Sequence, residues 1–353
     1  MVDRRRRART RTYAQSGVDR SAVTGALATL LAQIRPTAPP SHGRPIRLPG
    51  HYAGLVRIGR ETIAVTTDTV GTKVILAEAT GRWDEVGEDM VAINVNDLAA
   101  VGARPAAIVD TIVCARPDVG RFRALGRGLS RGLAAARCSL LGGETAVVPD
   151  LVHDVDLGAT AIGFFPAGRA PITGRKIRPG DRLLGIPSAG AHANGFTLLR
   201  RILSESAIDL HRPRPGGRGA VGSELMRATR TYSEAIDAIA GLPGVHGLAH
   251  ISGGGVRNLV RLHPGVRFEL DRWPAPPGLF DWIARTGGIS ANEMFQTFNM
   301  GIGFAIVAAP RSVPDILRGL RRSGAPDAFE IGRVRSGRGV RLPAWGLDYS
   351  GYS

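Results

Sequence analysis

The sequence predicts an α/β (α+β) chain of two domains. Short apolar runs alternate with longer stretches whose apolar residues recur at helical spacing, and that alternation is the mark of mixed α/β layering. A chain of 353 residues is long enough for two cores. The stretch Pro166 to Asp181 is rich in Pro, Gly and Arg, which places the domain boundary there.

In order along the chain, residues 1 to 12 are charged, poor in apolar residues and aperiodic, and read as a disordered basic tail. Val23, Leu27, Leu30 and Ile34 recur at helical spacing and predict an amphipathic helix over 21–34. That reading is preferred to a secretory signal, which a basic N-terminus followed by apolar residues can imitate. Arg35 to Gly50 is a connector. Ile63 to Val65 reads as a strand leading to Asp68. Residues 85 to 101 read as a buried helix, and 106 to 112 as a strand. Phe122, Leu125, Leu129 and Leu133 mark a second amphipathic helix, and 157 to 165 a further strand. Beyond the boundary come a strand at 183–186, a helix at 196–203, a Gly-rich insertion at 211–222 and a helical segment at 232–239. A strand at 303–308 and a helix near 313–322 complete the pattern. The predicted domains span 13–167 and 168–345.

Composition narrows the function. An apolar fraction of 43% and a charged fraction of 22% describe an ordinary globular protein. Net charge is +16, almost entirely arginine, since Lys73 and Lys176 are the only lysines. Apart from Arg4 to Arg7 this charge is scattered, and aromatics are 5%, so the interleaved basic-aromatic surface of a nucleic-acid binder is missing. High-GC codon bias together with attraction for phosphorylated substrates is the plainer account of the charge. Cys114 and Cys138 are the only cysteines, which excludes a disulfide framework or a zinc cluster and fits a reducing, cytoplasmic setting. No apolar run reaches the length of a membrane span.

Five polar patches interrupt the apolar pattern. Asp68 at a strand end is followed by Gly71, Thr72 and Lys73. Such a carboxylate either ligates magnesium with the lysine offsetting phosphate charge, or caps a turn beside a solvated lysine. Asn94 and Asp97, three apart on the buried helix, share a face whose polar groups need partners: a metal, a substrate or an internal network. Gly142, Gly143, Glu144 and Thr145 supply a third acid beside glycines that let a backbone approach a ligand closely, although Gly-Gly turns are common. His192, Asn194 and Gly195 lie where a helix begins; His192 is a candidate donor to an anion, and Asn194 is read as the helix cap. His250 precedes Gly253, Gly254 and Gly255, three glycines in series that suit an anion-binding nest.

In this order the segments resemble the phosphoribosylformylglycinamidine cyclo-ligase (AIR synthetase) family of purine biosynthesis. The resemblance is carried by Tyr13 with Gly17-Val18-Asp19, Val70-Gly71-Thr72-Lys73, Asn94-Val95-Asn96-Asp97-Leu98, Gly102-Ala103 and Gly142-Gly143-Glu144-Thr145-Ala146 with Pro149. It continues through His192 with Asn194-Gly195, Thr229-Arg230 with Tyr232, Ala249 to Gly255, and Glu293-Met294 through Thr297-Phe298-Asn299 to Gly301-Ile302-Gly303. It covers about Tyr13 to Val334.

The resemblance implies a two-domain AIR-synthetase-like fold whose N-terminal sheets pair into a barrel across a homodimer. It also implies ATP and Mg2+ in a cleft between the domains. The implied reaction is ATP-dependent closure of formylglycinamidine ribonucleotide, a phosphoribosylated substrate, to 5-aminoimidazole ribonucleotide. By motif match it assigns magnesium and the phosphate region to Asp68, Asp97 and Glu144, and phosphate to Lys73. It assigns phosphate or the reacting amide to His192, Asn194, His250 and the glycine trio. Lys73, His192 and His250 are thereby the catalytic candidates. Gly71, Thr72, Asn94, Gly142, Gly143, Thr145, Gly195, Thr229 and Asn299 complete the ligand-binding set.

The sequence departs from the family pattern at Thr69 in place of a glycine, at the glycine-poor stretch Leu48–Gly59, and at Val147, Val148 and Asp150 around Pro149. Ala14 and Gln15 stand where a lysine is frequent. These departures leave a second reading, a divergent paralogue that uses ATP on another amide or acid.

Overall fold

The computed structural model describes residues 12, 14–17, 20–34, 42–46, 48 and 50–352. The basic tail, apart from Thr12, lies outside the described residues, as do Tyr13, Val18, Asp19 and most of the 35–50 connector.

The N-terminal half contains α1 (Arg20–Gln33), β1 (Arg44–Ile46), β2 (Gly54–Ile58), β3 (Glu61–Thr69), α2 (Lys73–Thr80) and α3 (Trp83–Ala99). There follow β4 (Arg104–Cys114), α4 (Val119–Ala136), β5 (Ser139–Val147) and β6 (Val155–Phe164). The second half comprises β7 (Arg182–Pro187), α5 (Phe196–Glu205), α6 (Val221–Leu225), α7 (Ser233–Ala240), β8 (Val245–His250), β9 (Val266–Glu269), α8 (Gly278–Gly287) and α9 (Ala291–Thr297). It ends with β10 (Ile302–Ala308), α10 (Val313–Arg322), β11 (Phe329–Ser336), β12 (Gly339–Leu342) and β13 (Leu347–Tyr349).

Two sheets result, a six-stranded one in the order β1-β2-β3-β6-β4-β5 and a seven-stranded one in the order β13-β12-β9-β11-β7-β10-β8. No strand is shared between them. The first is antiparallel except where β5 runs parallel to β4, a pairing that requires the crossover helix α4. Alternation along β6 sets its two faces. Leu157, Ala159 and Ala161 are buried, while Asp156, Thr160 and Phe164 look outward with Val65 and Val109.

The buried face is covered by α3. Val86, Met90, Val91, Ile93, Val95 and Leu98 are all inside, each stabilising the fold by roughly 1.5–3 kcal/mol. α4 lies against α3 at very short range. A side chain at Gly128 would fall 1.9 Å from the Asp84 carbonyl oxygen, and one at Gly87 would fall 2.4 Å from that of Leu125. In the second sheet β10 is buried along its whole length, which explains its continuous run Ile302 to Ala308.

The predicted helix over 21–34 forms, but Val23, Leu27, Leu30 and Ile34 are exposed, so its apolar stripe meets no core within the described chain. Gly142 to Thr145 is not a turn. It forms part of the exposed edge strand β5, continued from Leu140-Leu141. Among the described residues no helix is long and apolar enough to cross a membrane.

Candidate active site between the sheets

Helix α3 makes several of the contacts that join the two halves. Asp89, Asn96 and Asp97 recur at seven and eight residues along α3 and form a stripe facing the second half. Asp89 Oδ1 accepts from the backbone N–H (2.8 Å) and hydroxyl (2.6 Å) of Thr229. Asn96 donates to the Arg230 carbonyl (2.9 Å) and accepts from the Tyr232 N–H (2.8 Å). Asp97 Oδ1 accepts from His250 Nδ1 at 2.8 Å, at the C-terminal end of β8.

The Asp97–His250 contact ties α3 of the first half to the end of β8 in the second. A ring that gives its Nδ1–H to a carboxylate presents Nε2 as the reactive atom. That Nε2 is buried and has no hydrogen-bond partner among the described residues. Asp68 stands beside this pair. Although one side of the residue keeps solvent contact, partial desolvation and then the charge of Asp97 push its carboxyl up to about 6. Asn94 donates to the Met90 carbonyl (2.9 Å) and, at longer range, to the Asp68 carbonyl (3.5 Å). Its Oδ1 is buried and has no partner among the described residues.

His192 is fully enclosed, in a left-handed backbone conformation (φ 61°) between β7 and α5. Burial, then the neighbouring His250, Lys73 and Arg230, hold it well below the usual imidazole range, so the ring is neutral. Its Nε2 accepts from the Ala189 N–H (3.3 Å), which leaves the proton on Nδ1, a buried donor with no partner among the described residues. Asn299 shapes this loop: it accepts from the Ser188 hydroxyl and the Gly301 N–H and donates to the Gly190 carbonyl, at 2.8–2.9 Å. Asn194 does not cap α5; Gly195, at φ 78°, occupies that position. The hydroxyls of Thr72 and Thr197 lie 3.0 Å apart and join the turn after β3 to the first turn of α5, beside Gly71 at φ 65°.

Three expected site residues lie elsewhere in the network. Lys73 is completely buried. Its ammonium pairs with Asp89 (2.6 Å) and donates to the carbonyls of His192 (2.9 Å) and Arg227 (3.1 Å), so all three donors are used within the fold. It cannot meet a phosphate. Thr229 is likewise committed to Asp89. Glu144 does not join Asp68 and Asp97. The register runs Asp68–Ala159–Asp110–Gly143 across β3, β6, β4 and β5, so Glu144 is one residue further on and points to the opposite face. No group of three His, Cys, Asp or Glu side chains assembles a metal cage among the described residues.

Gly142, Gly143 and Thr145 share this edge strand, and Gly143 has a structural explanation. A Cβ at Gly143 would fall 1.5 Å from Asp110 Oδ1, so the glycine makes room for the Asp110 carboxylate. Asp89 and Asp110 carry no motif of their own, and only Asp89 has a legible signal, its helical spacing of eight residues from Asp97, whereas Asn96 stands inside the Asn94–Leu98 motif. An open hollow of about 960 Å3, lined by Arg82, Glu85, Glu88, Arg214, Arg227 and Arg230, contains none of Asp68, Asp97, His192 and His250.

Comparison with known proteins agrees with this architecture. Residues 50–165 match the family model for the AIR synthase related protein N-terminal domain, and residues 178–343 match that for its C-terminal domain. The phosphoribosylformylglycinamidine cyclo-ligase of Methanothermobacter thermautotrophicus is 42% identical over 87% of this chain and 90% of its own length. That of Thermococcus kodakarensis is 41% identical over 95% of this chain and 99% of its own. Among solved structures, ThiL complexed with AMPPCP and TMP shares the fold at a TM-score of 0.63 and 15% identity, covering 94% of this chain and 96% of that one. The thiamine monophosphate kinase ThiL of Aquifex aeolicus gives 0.61 at 16% identity, covering 93% and 97%. With both family domains matched and relatives above 40% identity along most of its length, the chain belongs to the phosphoribosylformylglycinamidine cyclo-ligase (AIR synthase) family.

Proposed function

We propose that this protein catalyses the ATP-dependent closure of formylglycinamidine ribonucleotide to 5-aminoimidazole ribonucleotide. The observation that carries the reading is the 2.8 Å contact between Asp97 and His250 across the two halves, with Asp68 beside it and an unpartnered Nε2 on the histidine. Relatives at about 40% identity bear the name of that enzyme. The substrate's amide oxygen attacks the γ-phosphorus of ATP and ADP departs. A substrate nitrogen then attacks the activated carbon, the ring closes, and inorganic phosphate leaves. The orphaned Nε2 of His250 accepts the proton released by the attacking nitrogen, and Asp97 holds the imidazolium so formed. The His192 Nδ1–H donates to the reacting amide or its phosphate. The N–H groups of Gly253 and Gly254, with no acceptor among the described residues, face the triphosphate.

The donor set fits a hard cation. Asp68, Asp97 and the orphaned Oδ1 of Asn94 are oxygen ligands, few enough that phosphate and water complete the shell, as Mg2+ prefers. Bound there, Mg2+ neutralises charge developing on the transferred phosphoryl group. We assign residues 13–167 to ATP, Mg2+ and dimer contacts and 168–345 to the partner half of the cleft, in a cytoplasmic homodimer. The open sheet face with Val65, Val109 and Phe164 is the dimer surface. Phe164→Asp then gives a monomer by light scattering, and a dimer that survives it assigns the surface elsewhere.

Incubation with ATP, Mg2+ and formylglycinamidine ribonucleotide tests the reading. One ADP released per aminoimidazole product supports it. ATP hydrolysis dependent on another amide or acid, with no ring product, transfers the chain to the paralogue reading.

A further inference from the structure

The last residues of the chain lie beyond the matched family domains, which end at 343, yet they return to the glycine loop. After β13 pairs with β12, the Tyr352 hydroxyl donates to the Gly253 carbonyl oxygen at 3.2 Å. The Tyr352 ring lies 3.1 Å from where a Cβ at Gly254 would be, a residue at φ 138°. Tyr352 is itself held: the Arg261 guanidinium lies between the rings of Tyr52 (4.0 Å) and Tyr352 (5.4 Å). The same guanidinium donates to the carbonyls of Gly50 (2.6 Å) and His51 (3.0 Å), from the first half of the chain.

A trans peptide is planar, and its C=O and N–H point in opposite directions. Fixing the Gly253 carbonyl toward Tyr352 therefore fixes the Gly254 N–H away from it. Between two glycines that plane has little intrinsic preference. The Gly254 N–H has no acceptor among the described residues, and the buried Nε2 of His250 four residues earlier has no hydrogen-bond partner among them. We infer that Tyr352 is a positioning residue: it sets the Gly253–Gly254 peptide so that its N–H is presented to a phosphate group of ATP. This rests on the reading of the site as a nucleotide site and adds the tail as the part that orders it.

The test compares the wild-type chain with Tyr352→Phe and with a chain ending at Ser350, by steady-state kinetics and by calorimetric binding of inorganic triphosphate. Tyr352→Phe keeps the ring and loses one hydrogen-bond donor. The expected result is a KM for ATP raised about three- to tenfold, with matching weakening of triphosphate binding, unchanged kcat and unchanged melting temperature. The truncated chain shows at least as large an effect. A variant that binds triphosphate like the wild type overturns the proposal, whatever happens to turnover. So does a truncation effect that Tyr352→Phe does not share, since the ring alone would then be what matters. A wild-type chain that yields no aminoimidazole, but whose triphosphate binding weakens on Tyr352→Phe, counts against the ring-closure reading and leaves the tail's role standing.

Discussion

The ammonium of Lys73 lies 2.6 Å from the Asp89 carboxylate, and neither side chain is exposed to solvent. A buried pair of this kind is costly to break from one side because the surviving charge has no water. Lys73→Met is expected to destabilise the protein by about 3–5 kcal/mol in denaturant unfolding. Lys73→Met with Asp89→Asn keeps an acceptor for Thr229 without the charge and recovers part of that loss. A double-mutant cycle reports a coupling above about 1 kcal/mol. A coupling near zero, or a Lys73→Met chain of full stability that binds ATP poorly, would return the lysine to the phosphate.

Asp97→Asn leaves the size and the contact with His250 but removes the charge that supports its imidazolium. Turnover is expected to fall by about 10²–10⁴ with the melting temperature nearly unchanged. Wild-type turnover in that variant would exclude the pair from the chemistry.

The raised pKa of Asp68, about 6, makes cation binding sensitive to mild acid. A metal ligand must be deprotonated. Apparent Mg2+ affinity is therefore full above the folded pKa and lost as pH falls through about 6, two units above where an ordinary Asp acts. Saturating Mg2+ shifts the midpoint lower. Titration of activity against Mg2+ between pH 5 and 8 checks this, and an affinity flat down to pH 5 would remove Asp68 as a ligand.

Gly143→Ala is compatible with the backbone but collides with Asp110. It is expected to cost about 1–3 kcal/mol. Asp110→Ala on top of it restores only part, because the Asp110 carbonyl oxygen also lies within 2.6 Å of the new Cβ. Thermal melts of the two single variants and the double variant decide it.

These contrasts show what the sequence makes legible. The order of helices and strands follows from apolar spacing, and Asn94 with Asp97 on a buried helix announces a polar face that must meet something. What it meets is 153 residues away, and no spacing rule reaches His250. Lys73 follows Gly71-Thr72 just after Asp68 and reads as a phosphate ligand. Its real partner, Asp89, looks like one acid among several at the start of α3. Glu144 shows a third limit: which face of a strand a residue takes depends on register, and register is a property of the neighbouring strand. The exposed stripe of α1 has the right periodicity but meets no core among the described residues.

The stripe Asp89, Asn96, Asp97 makes α3 at once the hydrophobic keel of one sheet and the rivet of the other. Severing the chain between the two family domains would leave three hydrophilic groups on one fragment and the Thr229–Tyr232 and His250 segments on the other, each set deprived of its mate. Held together in this way, the halves are expected to melt as one unit, and a single cooperative transition in calorimetry checks it.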